Sequence, residues 1–118
     1  MNETKAAILF HINEPLRIVS LNLPNLKPGQ VLVRIKYSGI CHTQLGECRG
    51  ERGDDHFLPH CLGHEGSGII EAVGEGVSKV VAGDPVIHSW IRGNGSNGGP
   101  VQYQWNDIQV NAGPVTTF

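Results

Sequence analysis

The chain has 118 residues, a length that suits one compact domain with a single core. Nine Lys plus Arg against eleven Asp plus Glu give a formal charge of −2, without a basic block or aromatic-interleaved cationic stripe, which argues against nucleic acid as a partner. Sixteen glycines and seven prolines beside only 6% aromatic residues exclude a helical bundle and point to a turn-rich, mainly β domain.

The start, "MNETKAAILF", places Glu3 where a secretion signal needs positive charge, and no stretch of the chain is long and apolar enough to span a membrane. A cytoplasmic protein is expected. Three short apolar or β-branched runs follow: "KAAILF", "LRIVSLN" and "QVLVRIKYSG", divided by "NEP" and "LPNLKPGQ". In the third, Val31, Val33, Ile35 and Tyr37 alternate with Leu32, Arg34 and Lys36, the period of two that gives a strand one buried and one wetter face. Residues 41–49, "CHTQLGECR", lack this alternation and fit about two turns of helix. "ERGDDHFLPH" reads as a polar loop. Ile69, Ile70, Ala72 and Val73 form a further strand, "GEG" breaks it, and "DPVIHSW" starts another at a proline. "IRGNGSNGGP" is a glycine-rich loop, and "VQYQWNDIQVNAGPVTTF" reads as extended. The chain stops on Phe118 without a polar fade-out, so a break in mid-domain is expected.

Cys41, Cys48 and Cys61 include no CxxC pair, so neither a disulfide framework nor a Cys-rich zinc knuckle is visible. Cys41 follows one strand and His64 precedes another, and the ends of adjacent strands can meet at one rim of a sheet. Thiolate, imidazole and carboxylate are the donors zinc takes, and a catalytic site needs about three of them plus an open position. The plain alternatives are a small buried thiol and a solvated His64–Glu65 pair at a turn. His60 and His64 have the i, i+4 spacing of paired helical ligands, but Pro59 and Gly63 argue against a helix there.

"SGICHT" (38–43), "LGHEGSGIIEAVGEGV" (62–77) and "GDPVI" (83–87), in this order and at these separations, resemble the catalytic domain of zinc-dependent alcohol dehydrogenases of the medium-chain dehydrogenase/reductase superfamily. The resemblance implies a GroES-like, partly open β-barrel with short helices, joined in the family to a Rossmann nucleotide-binding domain. It implies Cys41 and His64 as two ligands of a catalytic Zn2+, with Glu65 as a carboxylate that can approach or replace the exchangeable ligand. Thr43 matches the hydroxyl that passes on the substrate proton; its alternative reading is a helix cap. His42 falls where a basic residue meets the pyrophosphate of NAD or NADP. Trp90 falls where a bulky side chain lines the alcohol pocket, with simple core filling as its alternative. In such enzymes zinc acts as a Lewis acid on the substrate oxygen, stabilising an alkoxide so that hydride can leave for nicotinamide.

Several residues depart from the family pattern. The stretch "IRGNGSNGGPVQYQW" has no cysteine, so a structural zinc is not expected. Gln44 stands where an Asp commonly orients the zinc-bound His, and Gly46 where some members carry a His at the end of the proton path. The family's third zinc ligand, a downstream Cys, and its nucleotide domain are not in these residues; Cys48, Cys61 and His60 are not separated by spacing as substitutes. "GNGSNG" (93–98) spells GxGxxG, but "GPVQYQW" follows where a helix N-terminus is required.

Residues 1–118 are therefore expected to be an incomplete GroES-like domain of an NAD(P)-linked alcohol dehydrogenase acting on a small alcohol or aldehyde, inactive alone and binding zinc weakly. The other expectation kept open is a stand-alone binding or oligomerisation module without catalysis, since exposed barrel edges favour a homo-oligomer. A zinc-free reductase on the same scaffold ranks behind both.

Overall fold

A computed structural model describes residues 3–91, 94–95 and 98–112. Its elements are β1 (Glu3–Leu9), β2 (Arg17–Asn22), β3 (Val31–Ser38), α1 (His42–Cys48), β4 (His60–Cys61), β5 (Gly66–Val73), β6 (Pro85–His88), β7 (Gln102–Trp105) and β8 (Ile108–Ala112). The chain is mainly β, as its composition implies. Five strands close into a barrel in the order β1-β2-β7-β8-β4, while β3, β5 and β6 form a separate three-stranded sheet.

Alternation builds the barrel core. Ala6 and Ile8 of β1, Val19 and Leu21 of β2, Tyr103 of β7, and Val110 and Ala112 of β8 all point inward with Cys61, at the spacing of two that places side chains on one face. Burying each large aliphatic side chain contributes about 1.5–3 kcal/mol. Phe10 and Trp105 pack against this cluster edge to face, with centroids 5.1 Å apart, and the Arg17 guanidinium lies 4.5 Å over the Phe10 ring.

The seam of the barrel is a two-residue strand in the segment expected to be loop. Cys61 and His60 pair with Ile8 and Leu9 of β1 on one side and, in parallel, with Ala112 and Asn111 of β8 on the other. Asn111 Nδ2 adds a bond to the Phe57 carbonyl at 3.0 Å. His60 is consequently buried, against the expectation of a polar loop, because it belongs to a strand flanked on both sides. The extended tail resolves into a hairpin, β7 paired with β8 from Gln102↔Asn111 to Trp105↔Ile108, with Asn106 turning at a φ of 52°.

In the second sheet, β3 and β5 run antiparallel from Val31↔Val73 to Ser38↔Gly66, and β5 pairs with β6 from Gly66↔His88 to Ile69↔Pro85. The expected division of β3 into two faces is seen only in its middle, where Val33 and Ile35 are half-buried and Arg34 and Lys36 exposed. None of its residues is fully buried, and Tyr37 is 78% exposed. The sheet's contribution is positional: the end of β3, the start of β5 and the end of β6 lie side by side at one rim.

Candidate metal centre

That rim decides which side chains meet. Ser38, Gly66 and His88 are the last paired residues of their strands, so Cys41, His64 and Trp90 all leave the sheet from the same edge. Two bonds extend the ladder beyond the last pair: the Gly39 N–H donates to the Glu65 carbonyl at 3.0 Å, and Ser38 Oγ donates to the same oxygen at 3.3 Å. A Cβ at Gly39 would meet the Glu65 carboxylate, which would have to swing aside. Gly63, at a φ of 124°, supplies a turn into His64 that a larger residue could adopt only under strain.

The consequence is convergence. One donor atom each from Cys41, His64 and Glu65 lies within 4.8 Å of the other two. Cys41 and His64 are half-buried and Glu65 is exposed. Cys41 is also the N-cap of α1, with extended backbone, and its N–H donates to Gln44 Oε1 at 2.8 Å. Gln44 is thus engaged in closing the helix start.

Cys41, Thr43, His64 and Trp90 line one cleft of about 580 Å³, together with Glu47, Arg52, Phe57, His60, Leu62 and Gly63. Thr43 is not a cap. Its Oγ1 is buried and has no hydrogen-bond partner among the described residues. Trp90 is 62% exposed and so does not fill a core. His42 opens α1, is exposed, and is not among the residues lining this cleft. The sequence "GNGSNG" lies partly outside the described residues, and the next described element is the strand β7, not a helix.

The remaining cysteines are distinguished by burial. Cys61 is 1% exposed in the barrel core, which pushes its thiol far above the ordinary range; Cys48 is also raised, by burial first and then by the neighbouring Glu47 charge. Neither lines the cleft. His60 joins a different group: its Nδ1 is 2.8 Å from Asp55 Oδ2 and 3.8 Å from Glu47 Oε2. Sequence reasoning passed over Glu47 and Asp55, and no periodicity or motif marks either.

Residues 27–109 match the alcohol dehydrogenase GroES-like domain. S-(hydroxymethyl)glutathione dehydrogenase of Synechocystis sp. is 42% identical over 85 residues, covering 72% of this chain and 23% of that protein. Alcohol dehydrogenase of Geobacillus stearothermophilus is 41% identical over 87 residues, covering 74% and 26%. Among solved structures, the cobalt- and zinc-bound thermostable alcohol dehydrogenase of Pyrobaculum aerophilum superposes with a TM-score of 0.66 at 34% identity, over 73% of this chain and 26% of that one. The alcohol dehydrogenase of Aeropyrum pernix gives a TM-score of 0.62 at 43% identity, over 70% and 25%. The chain spans about a quarter of the length of these relatives. A matched region that takes in most of the chain, together with the shared fold, makes this protein a member of the alcohol dehydrogenase GroES-like domain family.

Proposed function

We propose that this chain is the metal- and alcohol-binding part of a zinc-dependent, NAD(P)-linked alcohol dehydrogenase, whose nucleotide-binding part is not among these residues. The observation that carries the proposal is the convergence of Cys41, His64 and Glu65 within 4.8 Å at one rim. Thiolate, imidazole and carboxylate are zinc's own donor set, and the donors are close enough for modest side-chain rotation to bring them round one ion. The Thr43 hydroxyl in the same cleft, without a hydrogen-bond partner among the described residues, also fits a site that receives another group. Bound there, zinc would supply Lewis acidity toward an alcohol or carbonyl oxygen.

The chain's own residues divide the remaining work. Cys41 and His64 hold the ion from two strand ends. Glu65 stands as the exchangeable carboxylate, exposed enough to withdraw when substrate enters. Thr43 Oγ1 can accept a proton from an alcohol and donate its own, as a relay must. The indole of Trp90 excludes water from one wall and limits the width of the alcohol. His42, outside the cleft and exposed, is available to a cofactor pyrophosphate approaching from outside.

The test is metal content and spectrum. The chain loaded with Co2+ should show a sulfur-to-cobalt charge-transfer band that disappears in Cys41→Ala, and the same substitution in the complete enzyme should abolish turnover and remove one zinc. Unchanged metal content and activity in Cys41→Ala would refute the proposal. The second reading, a non-catalytic association module, is favoured by the exposure of Tyr37 (78%) and Ile87 (85%) on the open sheet; metal-independent dimers persisting on dilution would support it.

A further inference from the structure

We propose that Glu47, Asp55 and His60 form a second divalent-cation site on the same cleft, separate from the Cys41–His64–Glu65 group. The three come from different parts of the fold: Glu47 from the last turn of α1, Asp55 from the loop that follows, and His60 from the seam strand β4. Their donor atoms all lie within 4.8 Å of one another. Both carboxylates approach the same ring nitrogen, at 2.8 Å for Asp55 and 3.8 Å for Glu47.

Charge and burial together call for a cation. His60 and Asp55 have side chains only 6% and 8% exposed, and Glu47 is 29% exposed. Two carboxylates face an imidazole that brings one positive charge at most. Among the described residues, the only other ion pair is between Arg34 and Glu71, so no Lys or Arg lies within ion-pair distance of either acid, although Arg52 lines the same cleft. Carboxylates drawn together beside a buried ring gain from a shared counter-charge, which a divalent ion between the three donors supplies.

The donors are also oriented in advance. Asp55 Oδ1 accepts the Phe57 N–H at 2.8 Å, which turns Oδ2 toward His60. His60 is fixed by strand pairing on both sides of β4. One imidazole nitrogen with two carboxylate oxygens suits Zn2+, Co2+ or Mn2+ better than Ca2+, which takes oxygen ligands alone. The rival arrangement is a proton on Nδ1 donated to Asp55, a plain ion cluster with no metal affinity.

This site does not depend on the function proposed for Cys41 and His64, and its test is run with those side chains removed. Zn2+ is titrated calorimetrically into the 118-residue chain carrying C41A and H64A, with circular dichroism as the control for folding. The expected result is one equivalent bound, a Co2+ spectrum without a sulfur charge-transfer band, and affinity lowered at least about tenfold by Glu47→Gln or Asp55→Asn. Absence of saturable binding, indifference to both acid substitutions, or a persisting sulfur band would overturn the proposal. Should the double variant fail to fold, the unsubstituted chain decides the matter: loss of one equivalent of Zn2+ in Glu47→Gln supports the site, and an unchanged stoichiometry refutes it.

Discussion

Thr43 is the residue at which stability and the proposed function pull apart. Its Oγ1 is buried and makes no hydrogen bond among the described residues, and such a group costs about 1–3 kcal/mol. Thr43→Val removes the hydroxyl while keeping the branched shape. Urea unfolding should therefore show the variant as stable as the parent or more so, by up to about 1 kcal/mol, whereas turnover of the complete enzyme should be lost. A variant less stable than the parent would mean that the hydroxyl is already bonded, and the relay role would fall. Cys41 and His64 were legible in the sequence because each abuts a strand and sits in a family motif. The pairing of Asp55 with His60 was not, although His60 stood among the possible substitute ligands. Their contact is made across a loop with no period, so nothing short of the folded backbone brings them together.

At the scale of elements, the pairing of β3 with β5 is what brings Cys41, His64 and Glu65 together. Strands with clear alternation or β-branched runs were readable, as was the helix that starts after Cys41. β4 was not, since two residues carry no pattern, and the β7–β8 hairpin turns on Asn106-Asp107 rather than on a glycine, which blurs the usual signal. Gly68 is the weak point of the pairing. A Cβ there would run into the Arg34 carbonyl and the Ile35 Cα, which are backbone atoms that cannot rotate aside. Gly68→Ala is expected to destabilise the chain by about 2 kcal/mol, in the range of core overpacking. It should also weaken zinc binding at Cys41 and His64, since their strand ends are held at one rim by this ladder. Calorimetry on the folded variant checks this: unchanged zinc affinity would show that the ligands are positioned without the β3–β5 register.

The whole molecule has one dense body and one sparse one. The barrel holds Ile8, Leu21 and Val110 at 0% exposure, while only Gly68 and Ile70 are buried in the strands of the second sheet. Sequence alternation identified the strands of both bodies but not this difference, because burial is set by what stacks on a sheet and not by the strand itself. Local opening free energy follows buried contacts, so amides of β3 and β6 should exchange with solvent on the order of a hundredfold faster than those of β1, β2 and β8. Zinc changes this comparison in a way that tests the site. An ion held by Cys41 and His64 ties the end of β3 to the start of β5, and it is released whenever the two part. At a zinc concentration about a hundred times the dissociation constant, opening of that pair costs roughly 2.7 kcal/mol more, which slows its exchange about a hundredfold. Barrel amides that exchange through local openings leaving the rim intact gain nothing from the ion. Hydrogen exchange with and without zinc should therefore show protection concentrated in β3 and β5, and equal slowing of both bodies, or of neither, would mean that the ion does not bridge these strands.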